Sequence, residues 1–87
     1  MRADAQAGRG ETASGYKNKG VQYVDLSWSG NTGAVDVYRN GVAVATNVGG
    51  NAKTDNTGNK GSGQVYVYEV CETGMTTGCS NTVTVGF

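Results

Sequence analysis

Val35-Asp36-Val37-Tyr38-Arg39-Asn40-Gly41-Val42-Ala43-Val44-Ala45-Thr46-Asn47 alternates apolar and polar side chains on either side of an Asn-Gly pair. Period two marks a strand with one covered face. Asn-Gly accepts the two positive φ angles of a type I′ turn, whose twist matches the strands it joins. The segment therefore reads as a β-hairpin that fixes its own register, and the chain as a small β scaffold.

Upstream of the hairpin, Val24, Leu26 and Trp28 share one face of a strand, while Tyr23, Asp25 and Ser27 share the other. Residues 29–33 then supply a turn. Downstream, residues 47–63 are rich in Gly, Asn, Lys, Thr and Asp and read mostly as loop, with one short edge strand around residues 52–55. Residues 64–71 are apolar on both faces, as a central strand requires, and residues 80–87 alternate as a final strand after the loop at 73–78. Six or seven short strands at this spacing predict an all-β fold, a two-sheet antiparallel β-sandwich. Its core is expected from Leu26, Trp28, Val35, Val37, Tyr66, Tyr68, Val70, Val83 and Val85.

Composition agrees with a thin β core. Twelve valines, one leucine, one phenylalanine and no isoleucine make about 16% of the 87 residues, and fifteen glycines interrupt every window long enough for an amphipathic helix. Seven basic residues balance seven acidic ones, so the strong net charge that accompanies disorder is absent, as is the basic patch of a nucleic-acid binder. No apolar run approaches the ~20 residues of a membrane span. Residues 1–14 are small, polar and aperiodic. They read as a flexible linker, a remnant of excision or a loosely held first strand, with the sandwich occupying residues 15–87. The opening has no apolar signal core, so an export signal is expected upstream in a longer parent chain.

Two cysteines, Cys71 and Cys79, flank a short loop between strands that should be antiparallel neighbours. A disulfide there is the favoured reading. Closing a nine-residue loop would contribute about 2.6 kcal/mol by chain entropy. A redox pair lacks the CxxC spacing, and two cysteines without histidine fall short of a zinc site. The missing histidine also removes Ser-His-Asp and Cys-His arrangements. Glu69 and Glu72 fall on opposite faces of one strand, unsuited to paired-carboxylate hydrolysis. Asp55 to Asn59 loosely matches a calcium loop, but Lys60 and Tyr66 stand where its glycine and bidentate glutamate belong, so turn chemistry is the reading. Gly8 to Ala13 fits a loose GxGxxA with no strand before it and no helix after it, and residues 49–54 miss the phosphate-loop pattern. No catalytic residue, metal or cofactor is expected. Tyr23 and Tyr38, on faces opposite the core, are the candidate ligand-facing aromatics if the fold brings them together.

With the strands placed, the chain resembles a fibronectin type III or immunoglobulin-like domain, and in particular the C-terminal modules of secreted bacterial hydrolases such as subtilisin-like serine proteases. The resemblance lies in Val24-Asp25-Leu26-Ser27-Trp28-Ser29-Gly30, Val35 to Gly41, Tyr66 to Glu72, and Cys79-Ser80-Asn81 with Val83, Val85 and Phe87; Gly15 to Gly20 is similar to the first strand. It implies that Tyr66 is a corner tyrosine bonded to nearby backbone, with Tyr68 and Val70 facing the core. It further implies a secreted, monomeric, non-catalytic accessory domain. Such a domain acts in cis with a parent catalytic domain, as a spacer or as a module engaging an insoluble polysaccharide or protein substrate. The alternative is a cleavable C-terminal extension that assists folding or secretion of the parent enzyme.

Overall fold

The computed structural model describes residues 11–30, 33–75, 79, 80 and 82–87. Seven strands make up its regular structure: β1 (Thr12–Asn18), β2 (Val21–Ser27), β3 (Val35–Arg39), β4 (Val42–Val48), β5 (Ala52–Lys60), β6 (Val65–Glu72) and β7 (Val83–Gly86). They form two antiparallel sheets, one of three strands in the order β1-β2-β5 and one of four in the order β4-β3-β6-β7. The result is the two-sheet sandwich expected from the alternation of residues.

Alternation decides which side chains meet. Val24, Leu26 and Trp28 from β2 and its end face Val35 and Val37 from β3, Tyr66, Tyr68 and Val70 from β6, and Val85 from β7, all buried in one cluster. Val83 is the exception to the expected core: it is half-buried. It opens the four-residue edge strand β7, which has a neighbour on one side only. That strand is also shorter than the eight residues its alternation suggests.

The hairpin at Asn40-Gly41 forms as read, with φ of 53° and 82° at the two turn positions. A second two-residue turn joins β1 to β2 at Lys19-Gly20, with φ of 53° and 83°. Lysine carries a weaker turn signal than asparagine in this position. Ordered structure also starts ahead of residue 15: β1 begins at Thr12, and Glu11 is already buried. Residues 1–10, and with them most of the expected linker and the first glycines of the GxGxxA match, lie outside the described residues.

The main correction concerns residues 47–63. Instead of loop with a short strand, they contain β5, the longest strand of the fold at nine residues. Its turn-forming composition has a local use. Val21 pairs with Lys60 but Tyr23 pairs with Asn56, so β5 bulges at Thr57-Gly58-Asn59 opposite Gln22. Gly58 supplies the positive φ of 76°, Asn56 Oδ1 accepts the Gly58 N–H at 2.9 Å, and Thr57 Oγ1 accepts the Asn59 N–H at 3.2 Å. Turn chemistry is thus spent inside a strand, where a bulge bends the ladder and re-aims side chains.

β4 carries a comparable irregularity opposite Asp36, with Asn47 at φ 55°. The buried Asp36 carboxylate accepts the Asn47 N–H at 3.0 Å, the Thr73 hydroxyl at 2.9 Å and the Gly74 N–H at 3.2 Å. These donors hold its pKa below the ordinary aspartate value, the Asn47 N–H foremost. One carboxylate thereby ties β3 to the β4 bulge and to the loop after β6.

Candidate functional site

Three polar groupings are built on this scaffold. The first lies between the sheets. Arg39 on β3 and Asp55 on β5 form an ion pair at 2.7 Å, and the Tyr68 hydroxyl donates to the same Asp55 oxygen at 2.6 Å. The Arg39 guanidinium also sits 5.7 Å from the centre of the Tyr66 ring. Burial, and then the Asp55 carboxylate, push the Tyr68 hydroxyl above its usual pKa. Asp55 therefore belongs to a sheet-to-sheet tie.

Next to it, the bulge of β5 delivers Thr57 and Asn59 to the fully buried Gln22. Gln22 Oε1 accepts from the Tyr66 hydroxyl at 2.6 Å and from the Thr57 hydroxyl at 3.3 Å. Its Nε2 donates to Gln64 Oε1 at 2.8 Å and to the Gly61 carbonyl at 3.2 Å. Asn59 Nδ2 donates to the Tyr66 hydroxyl at 2.8 Å. The Tyr66 hydroxyl is thus bonded to two side-chain amides; the backbone bond implied by the corner-tyrosine resemblance is replaced. The reason is that Gln22 shares the inward face with Val24 and puts an acceptor within reach.

The second grouping surrounds the disulfide. Cys71 and Cys79 are bonded, with an S–S distance of 2.04 Å and a Cα separation of 4.1 Å. A hollow of about 200 Å³ beside it is lined by Tyr38, Gly41, Glu69, Cys71 and Cys79. Glu69 and the two sulfurs present donor atoms within 4.8 Å of one another. With the sulfurs bonded to each other, no thiolate is offered to a metal. Close by, the Ser80 hydroxyl donates to the buried Glu11 carboxylate at 3.1 Å and accepts the Val70 N–H at 3.0 Å. Burial raises the Glu11 pKa to about 7, opposed by the Ser80 hydrogen bond and reinforced by the charge of Glu69.

The third grouping occupies the outer face of the three-stranded sheet. Register stacks three rows across β1, β2 and β5: Thr12, Ser27 and Ala52; Ser14, Asp25 and Thr54; Tyr16, Tyr23 and Asn56. The Tyr16 and Tyr23 rings stack at 5.6 Å with 13° between their planes. Tyr38 lies on β3 in the other sheet, so the two expected ligand-facing tyrosines are not brought together. Their strands belong to different layers and both rings point outward, away from the core between them. Tyr16 takes the place given to Tyr38. The Lys19-Gly20 turn, read as a hairpin, would have placed it opposite Tyr23.

No family model, curated protein or solved structure matches this chain. Chemistry must therefore be argued from the groupings themselves. Glu69 and Glu72 fall on opposite faces of β6, facing Tyr38 and Val35 respectively on β3. In the inter-sheet layer Asp55, Gln22, Asn59, Tyr66 and Tyr68 are each engaged with a neighbour from the opposing sheet. The outer face of β1, β2 and β5 is different: it presents aromatic rings and hydroxyls to solvent, with Tyr16 41% exposed.

Proposed function

We propose that this chain is a non-catalytic accessory domain of an exported bacterial hydrolase, a serine protease by its family resemblance, serving as a spacer that also engages substrate. One observation carries the reading. The side chains most capable of chemistry are engaged in holding the sandwich closed, as Arg39, Asp55 and Tyr68 do across the sheets. A polar cluster of this kind makes a rigid, self-satisfied core. The Cys71–Cys79 disulfide agrees with an oxidising location, and a thin valine core is the setting in which such a crosslink matters most. Fold alone does not assign a role, so the parent enzyme decides it.

The experiment compares the parent hydrolase with and without this domain. The reading expects unchanged turnover of a small soluble peptide and at least threefold slower attack on an insoluble substrate. Loss of soluble-peptide turnover on deletion, or absence of the domain from the mature secreted enzyme, would overturn it. The second outcome would point instead to a cleaved folding or secretion aid.

A further inference from the structure

We infer that the outer face of the β1-β2-β5 sheet is a binding site for a neutral polysaccharide, with Tyr16 and Tyr23 as its stacking surface. This deepens the accessory reading and rests on it for biological purpose. The binding claim itself concerns only this chain.

Tyr16 and Tyr23 lie directly opposite each other on neighbouring strands, and their rings are nearly parallel. Asp25 occupies the next row of the same face, between Ser14 and Thr54. Aromatic faces of this kind suit the C–H-lined faces of pyranose rings, which carry apolar patches on an otherwise polar molecule.

The remaining rows supply hydrogen bonds. Thr54 Oγ1 donates to Asp25 Oδ1 at 2.6 Å, and the Thr12 and Ser27 hydroxyls bond to each other at 2.7 Å. Each hydroxyl has one donor and two acceptor sites, and a carboxylate accepts about four bonds, so these groups keep capacity for sugar hydroxyls. Between the rows lies a hollow of about 500 Å³ bordered by Ser14, Asp25, Ser27 and Thr54, with Lys53 also in its lining. That falls within the roughly 300–1,000 Å³ of small-ligand clefts.

Charge selects the class of glycan. The three rows contain one carboxylate, Asp25, and no lysine or arginine. An acidic polymer would meet one like charge, Asp25, and a single counter-charge, Lys53, far short of the cationic cluster that a polyanion needs. A neutral chain meets hydroxyl, amide and aromatic partners, with Asp25 and Lys53 as an acceptor and a donor for its hydroxyls. Among the described residues no further strand pairs with β1 or β5 beyond this sheet, which leaves a path across the strands for a polymer.

The test is native affinity electrophoresis of this chain in gels containing hydroxyethylcellulose, laminarin, xyloglucan or alginate. At least one neutral glucan should retard it, alginate should not, and Tyr16→Ala and Tyr23→Ala should each weaken the retardation at least tenfold. Amide NMR shifts on adding cellohexaose or laminarihexaose give a readout without substitution. They should concentrate at Tyr16, Tyr23, Asp25, Thr54 and Asn56. No retardation by any neutral polymer, retardation by alginate alone, or shifts confined to the four-stranded sheet would overturn the site. The deletion experiment on the parent enzyme reads turnover without reference to sugar, so an accessory role can stand where the glycan site falls.

Discussion

Tyr68 reaches from the four-stranded sheet to the three-stranded one and donates its hydroxyl to Asp55 at 2.6 Å, where Arg39 also binds. The phenol is wholly buried and its acceptor is the carboxylate that also pairs with Arg39, which places this bond among the stronger ones in the molecule. Tyr68→Phe keeps the ring and removes only the donor. The expected loss is about 1.5–3 kcal/mol in urea unfolding, the range for hydrogen bonds to charged groups. Tyr38→Phe, on the outer face of β3, should change stability by less than about 0.5 kcal/mol.

Glu11 makes stability depend on pH. Its carboxyl titrates near 7 in the fold, against 4.5 without burial, so the folded chain binds this proton more tightly than the unfolded one. The contribution is therefore complete below about pH 4.5 and is lost as pH rises through 7. Glu11→Gln mimics the neutral form. Urea midpoints measured from pH 4.5 to 8 should show the wild type falling behind the variant as pH increases. A constant gap would show that Glu11 does not titrate in this range. Asp36 acts in the opposite sense, its contribution disappearing in acid as pH falls through its lowered pKa, so the comparison belongs above pH 4.5.

Gly15 lies where β1 crosses β7. A methyl group there would come 2.8 Å from Val85 Cγ1 and 2.9 Å from Phe87 Cζ. Both neighbours must shift to admit it. Gly15→Ala should cost about 1–3 kcal/mol, the usual effect of overpacking, measurable as a lower urea midpoint with an unchanged slope.

Removing the crosslink tests how far the small core stands alone. Cys71→Ser with Cys79→Ser should lose about 2.6 kcal/mol by the loop-entropy estimate, or about 10–20 °C in Tm for a domain of this size. Intact mass with and without reductant should differ by two hydrogen atoms in the wild type and by none in the double variant.

Most of the sandwich was legible because strict alternation leaves few alternatives. Val24-Asp25-Leu26 and Val35-Asp36-Val37 each state their inward face, and Asn40-Gly41 states its turn, whereas Tyr66-Val67-Tyr68 is apolar on both faces and its inward side came from the family resemblance. β5 was hidden. Ala52 to Lys60 has no apolar alternation, since its inward positions are Asp55 and Thr57, residues covered through hydrogen bonds with Tyr68 and Gln22. A strand that buries polar groups looks like loop until its partners are known. The candidate site was half legible for the same reason. Tyr23 announced an outer face, but its companion Tyr16 depended on a Lys-Gly turn, and the hydroxyl rows on register between three strands.

Cys71 and Cys79 bracket residues 72–78, among which Thr73, Gly74 and Met75 are exposed. A protease that nicks the chain there opens a ring without releasing a fragment. β7 stays covalently attached to β6 through sulfur. For a module proposed to travel with a proteolytic neighbour, such a cut would be invisible until a reductant is added.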